Sequence, residues 1–171
     1  MAWKKSLLVT WIVCAAFLLA VSAKSMAAWG GKELETEKIA VNFAREVIKG
    51  GYKIVSTEEL KGWIDQKKDM LIVDTMPYED SYRKQHIPGA VHFEFPVKEV
   101  ATFDDKTKSD FAKILGPNKD RVIVIYCGFT KCGRSHNGAM LAVRLGYKNV
   151  YRYPGGITAW TEADYPIEKV K

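Results

Sequence analysis

The chain has 171 residues, 47% of them hydrophobic and 27% charged, with a formal charge of +6 and only three cysteines. That length suits one domain able to bury a core, and so few cysteines exclude a multi-disulfide framework. No basic stripe, RNA-binding motif or polybasic tail points to nucleic acid or an anionic membrane, so most cations are expected on solvated surface.

The first 28 residues carry Lys4 and Lys5, an apolar run from Leu7 to Val21, and small residues ending in Ala27-Ala28. This is the layout of a secretory signal peptide. Residues 1–27 are expected to be that signal, cleaved after Ala27 or, as the second choice, after Ala23. The mature chain is then periplasmic or secreted; the alternative is an uncleaved N-terminal membrane anchor, for which the run is short. Cleavage removes Lys4, Lys5, Lys24 and no acids, lowering the formal charge from +6 to +3. It also removes Cys14 and leaves Cys127 and Cys132, two thiols in a setting where oxidation is permitted.

Lys32–Lys49 places Leu34, Ile39, Phe43, Val47 and Ile48 among charges and stops at Gly50-Gly51, the pattern of an amphipathic helix. Residues 28–51 are therefore expected to form a helical extension, and 52–171 the main domain. Tyr52–Val55 reads as a short strand, and Ser56-Thr57-Glu58-Glu59 as a capping box opening a helix to about Gln66. Met70–Val73 is a continuous apolar strand ending at Asp74. Pro77–Gln85 suggests a short helix, and His86-Ile87-Pro88-Gly89-Ala90 a turn that delivers the strand Val91–Phe93. A helix is expected near Ser109–Leu115, stopped by Gly116-Pro117-Asn118. The strand Val122–Tyr126, a loop and a helix closed by Gly146 follow, then the strand Asn149–Tyr153 and a short helix after Pro154-Gly155-Gly156. Strands and helices alternate throughout, which predicts an α/β fold with a mainly parallel central sheet covered on both faces.

Cys127 stands at the carboxyl end of the strand Val122–Tyr126, the edge that faces the ligand crevice in open α/β sheets. The loop Gly128, Phe129, Thr130, Lys131, Cys132, Gly133, Arg134 and Ser135 follows it. Its glycines allow close backbone approach, Lys131 and Arg134 add positive charge, and Ser135 is placed to cap the next helix. Helix-start N–H groups and two cations should lower the thiol pKa, so Cys127 reads as a nucleophile rather than a buried structural cysteine. Cys132 reads either as a resolving thiol or as packing under the loop. His86 is expected to fix its turn and His136 to face solvent. Asp74 is expected to hold local backbone, and Trp160 to pack. Six residues separate Cys127 from Arg134, and Tyr126 precedes the cysteine. A cysteine phosphatase needs five residues and usually a preceding histidine, so phosphate-ester hydrolysis is disfavoured, while a dithiol reductase of another oxyanion stays open.

Asp74 at a strand end, His86-Ile87-Pro88-Gly89-Ala90, and the Cys127 loop followed by Gly155-Gly156-Ile157-Thr158-Ala159-Trp160 together resemble a single-domain rhodanese over roughly Tyr52 to Pro166. The resemblance implies a rhodanese-like three-layer fold, with Cys127 as the residue that takes a sulfane sulfur as a persulfide. It implies a small sulfur donor, a thiol or cyanide acceptor, and no cofactor or metal. Two departures stand out. The usual loop is similar to Cys-x-x-Gly-x-Arg-Ser, whereas here Arg134 lies seven positions after Cys127, which adds two residues and a second thiol. Met76 stands where many members have arginine. A wider cradle suggests a larger substrate, selenium species included. An exported carrier module serving a membrane redox partner is the alternative to a turning-over enzyme.

Overall fold

The computed structural model describes residues 32–170, so the expected export signal and both cleavage positions lie outside the described residues. The chain divides into two compact units, Met1–Lys38 and Ile39–Lys171. In the first, the described residues are the opening of helix α1 (Glu33–Gly50), where Glu33 and Glu35 complement the positive end of the helix dipole. Gly51 leaves that helix at φ 67°, a conformation that favours glycine.

In the second unit, five strands form the sheet: β1 (Lys53–Ile54), β2 (Met70–Asp74), β3 (Val91–His92), β4 (Val122–Tyr126) and β5 (Asn149–Tyr153). Their order is β1-β5-β4-β2-β3 and every pairing is parallel. The expected α/β class is the observed one. Register sets the strand ends level, since Asp74 pairs with Tyr126 and Tyr126 with Tyr153. Cys127 therefore lies one residue beyond the rim of three adjacent strands.

Two apolar clusters cover the sheet, one on each face, as alternation along the strands requires. Leu71, Val73, Ile123, Ile125 and Val150 pack with helices α3 (Asp105–Leu115) and α4 (Arg134–Arg144) and with Val47 of α1. Ile72, Val124, Tyr126 and Tyr153 pack with α2 (Thr57–Asp65) and α5 (Gly156–Glu162). By the same parity Arg152 shares the face of Val150, and it is 0% exposed there.

Local signals account for most boundaries. Both arms of the capping box form, with Ser56 Oγ accepting from Glu59 N–H at 3.2 Å and Glu59 accepting from Ser56 N–H at 2.9 Å. Three expectations are corrected. Helix α3 begins at Asp105 rather than near Ser109, because the Asp104 carboxylate caps it by accepting from Thr107 N–H at 2.7 Å. The segment after Pro77 is a single π-helical turn, Tyr78–Tyr82, and not a helix to Gln85. The cap of α4 is Gly133 with no side-chain bond, so Ser135 lies inside the helix and its hydroxyl is used elsewhere. Among the described residues no helix is long and apolar enough to cross a membrane.

Candidate active site

The loop leaves β4 at Cys127 and is held from below by the glycine turn before α5. Ile157 N–H donates to the Cys127 carbonyl and Thr158 N–H to the Gly128 carbonyl, each at 3.0 Å. Gly156, at φ 61°, has no room for a side chain, because a Cβ would overlap the Cys127 carbonyl and the Gly128 backbone. The glycine therefore sets how closely α5 approaches the cysteine. Gly133 plays a comparable part on the other side, where a Cβ would collide with the Val97 carbonyl. Gly128 faces Met76 at ordinary contact distance. Both loop glycines face protein at the Cβ position, whereas the sequence suggested room for a substrate.

Cys127 is 1% exposed, and its sulfur is ringed by polar groups. It lies 3.2 Å from the Cys132 carbonyl, 3.2 Å from Ser135 Oγ and 3.8 Å from the Phe129 carbonyl. Cys132 is also buried, and both thiols are free. The expected ionisation is corrected. Burial pushes the Cys127 thiol well above its ordinary value, and the neighbouring Cys132 adds to the rise; Ser135, through hydroxyl and backbone, opposes it. Cys132 is lowered to about 6, first by the thiol of Cys127 donating to it, then by the N–H groups of Arg134 and Gly128, with Arg134's charge assisting. The two sulfurs titrate as a pair, in which Cys132 gives up its proton before Cys127.

The other loop residues separate. Arg134 does not turn to the thiols; its guanidinium reaches the Phe95 carbonyl and lies 3.2 Å from Glu94. Phe129 projects outward and is 51% exposed, and Lys131 is exposed. Thr130 contributes its carbonyl to a bond beneath the loop. His136 is corrected from solvent-facing to buried. Its Nδ1 lies 2.9 Å from Tyr52 Oη and its Nε2 3.6 Å from Glu99, and burial lowers its pKa. His86 fixes its turn as expected: Nδ1 is 2.8 Å from the Tyr82 carbonyl, its ring stacks on Tyr82, and its backbone pairs with Glu168. Asp74 holds local backbone by accepting from Met76 N–H at 2.8 Å, and its burial raises its pKa.

Arg152 was not singled out in the sequence. Its Nε–H donates to Ser135 Oγ at 2.9 Å, Nη1 to Glu46 at 2.5 Å and Tyr52 Oη at 3.1 Å, and Nη2 to the carbonyls of Cys132 at 3.1 Å and Thr130 at 3.3 Å. Five donors meet five acceptors, which is what a fully buried guanidinium needs. The only sequence signal was a cation in the second-last place of a core strand, next to the Pro-Gly-Gly turn.

Residues 56–163 match the Rhodanese-like domain family. The chain belongs to that family. The rhodanese-like chain is similar to the thiosulfate sulfurtransferase GlpE of Coxiella burnetii, 28% identical over 118 residues that cover 67% of this chain and 92% of that one. It is 32% identical over 110 residues to the sulfur carrier protein TtuD of Thermus thermophilus, covering 61% of this chain and 35% of the carrier. The chain spans only 31–42% of the length of the first curated relatives it matches. In fold it is similar to the polysulfide-sulfur transferase homodimer of Wolinella succinogenes, with TM-score 0.54, 17% identity, and coverage of 82% of this chain and 92% of that one.

Proposed function

We propose that this rhodanese-like chain is an exported sulfurtransferase that loads a sulfane sulfur on Cys127 as a persulfide and passes it to a thiophilic acceptor. The observation that carries the reading is the position of Cys127: one residue past the sheet rim, inside a polar ring of loop groups, at the start of the loop that leads into α4. Relatives named as a transferase and as a carrier of sulfur support the class of chemistry. Export rests on the basic, apolar and small-residue order of residues 1–28.

The reaction runs as a sulfur relay. Cys127, its proton passed to Cys132, attacks the outer sulfur of thiosulfate, polysulfide or a selenium analogue. The donor S–S bond breaks, and the leaving group departs with the electron pair as sulfite or a shortened polysulfide. An acceptor thiolate or cyanide then takes the outer sulfur and returns Cys127 as thiolate. Cys132, buried in the same loop with its carbonyl 3.2 Å from the Cys127 sulfur, offers a second exit. Cys132 attacks the inner sulfur of the loaded Cys127, expels hydrosulfide and leaves a disulfide, which an external thiol reductant or an exported redox partner restores. A carrier without turnover is the alternative, and the near-complete burial of Cys127 favours it over free exchange with solvent.

Intact mass after exposure to thiosulfate, polysulfide or the selenium analogue of thiosulfate tests the proposal. One added chalcogen atom on the wild type, none on Cys127→Ser, and loading with altered release on Cys132→Ser are expected. Loading that persists in Cys127→Ser and vanishes in Cys132→Ser would transfer the nucleophile role to Cys132. Loading without turnover of cyanide or thiol would favour the carrier.

A further inference from the structure

We propose that Arg152 is the positioning residue of the Cys127 loop, shaping it from beneath and turning the Ser135 hydroxyl onto the Cys127 sulfur. This rests on the reading of Cys127 as the sulfur-bearing residue.

Three of the five guanidinium bonds end on the loop or the first turn of α4: Ser135 Oγ, the Thr130 carbonyl and the Cys132 carbonyl. Among the described residues every peptide bond is trans. In a trans peptide the N–H points opposite to its carbonyl, so drawing the Thr130 and Cys132 oxygens down turns the N–H groups of Lys131 and Gly133 away from Arg152. A loop two residues longer than the usual one is thereby closed around an internal cation. The remaining two bonds, to Glu46 of α1 and to Tyr52, fix the plane of the guanidinium, which also lies 5.0 Å from the centre of the Phe43 ring.

The hydroxyl of Ser135 has one hydrogen to give. Its oxygen already accepts from Arg152 Nε–H at 2.9 Å, and the Cys127 sulfur lies 3.2 Å away. Once Cys127 ionises, the sulfur can no longer donate, and the Ser135 hydrogen has a charged acceptor within reach. The Cys132 carbonyl, 3.2 Å from the Cys127 sulfur, keeps its bond from Arg152 whether or not that sulfur carries a proton. Arg152 thus lowers the cost of making the Cys127 thiolate at both ends of the step without touching the sulfur. Its counter-ion Glu46 leaves little net charge, so the effect lies in the geometry of the fork rather than in a bare cation.

The test is the pH dependence of Cys127 alkylation by iodoacetamide in the full chain carrying Cys132→Ser, which isolates the one thiol. Adding Arg152→Gln should move the alkylation midpoint up by about one pH unit, the direction set by losing a donor to the charged form. Arg152→Lys keeps the charge but cannot reach five acceptors, and should recover less than half of that shift. An unmoved midpoint in an Arg152→Gln chain with wild-type circular dichroism overturns the proposal, as does full recovery by lysine. If Arg152→Gln does not accumulate, Ser135→Ala carries the test, with the same rise expected and an unmoved midpoint fatal. Sulfur loading of the wild type, read in parallel by intact mass, fails only if the sulfurtransferase reading fails; the midpoint reports on Arg152 whether or not sulfur is loaded.

Discussion

The Cys127 loop rests between two unlike walls. Toward α2 and α5 the wall is apolar: Tyr126, Tyr153, Ile157 and Trp160 are all buried, and the Trp160 indole spends its N–H on the Pro166 carbonyl at 2.7 Å. Toward α1 and α4 the same sheet edge is polar. Arg152 replaces what would be the next aliphatic after Val150, and the first turn of α4 supplies Ser135, His136 and Asn137, all buried. Asn137 accepts from Val100 N–H at 3.0 Å and donates to the carbonyls of Pro96 and Lys98 at 2.8 Å each, tying the 96–100 segment to the helix. The apolar wall sets where the cysteine sits, by close packing through Gly156. The polar wall, through Ser135, opposes the rise in its pKa that burial imposes.

That division can be broken by experiment. Trp160→Ala removes the largest fully buried side chain and should destabilise the fold by about 3–5 kcal/mol in chemical denaturation, while the surviving native state keeps its thiol titration. A shifted titration would show that the apolar wall also controls charge. Gly156→Ala should cost at least ~1–2 kcal/mol from its left-handed backbone alone, with the overlap against Cys127 added to it. Sulfur loading should fall with it, since the displaced atom group is the loop's own backbone.

On the polar side, alkylation of the wild-type pair should have its midpoint near 6, the value to which Cys132 is lowered. The sign follows from the depressed pKa. The thiolate is present above that pH, and reactivity falls about tenfold for each unit below it. The same ionisation stabilises the folded chain above the ordinary thiol pKa, and that contribution is lost as pH falls through about 6. Cys127→Ala, which removes the first cause of the lowering, should raise the midpoint of Cys132. Far from both walls, Ser56→Ala should cost about 1 kcal/mol through loss of the capping box and leave the thiol midpoint where it was.

The layering was legible in the sequence because it is written in short-range signals. Apolar runs such as Met70–Val73 and Val122–Tyr126 are parallel core strands wherever helices cover both faces, and Ser56 with Glu59 caps a helix from four consecutive residues. The loop, too, was legible as a loop with a cysteine at its start. Its electrostatics were not. Ser135 has the residue type and place of a helix cap, but Arg152 and Cys127 outbid the helix for its hydroxyl. Arg134 looked like the cation of the site, yet Glu94 and the Phe95 carbonyl, some forty residues earlier, hold it aside. Arg152 reaches Glu46 and Tyr52 across about a hundred residues of chain. Such pairings have no local signature, since they depend on which strand lies beside which helix. Asp104 escaped notice for a simpler reason, being one acid in a polar connection that gave no periodicity before Phe111.

The most direct test of the account is to locate the added atom. After brief exposure of the full wild-type chain to polysulfide, trapping of the persulfide and peptide mapping should place the extra sulfur on Cys127, with Cys132 unmodified or joined to it as a disulfide. Sulfur found only on Cys132, with Cys127 still a thiol, would contradict the assignment.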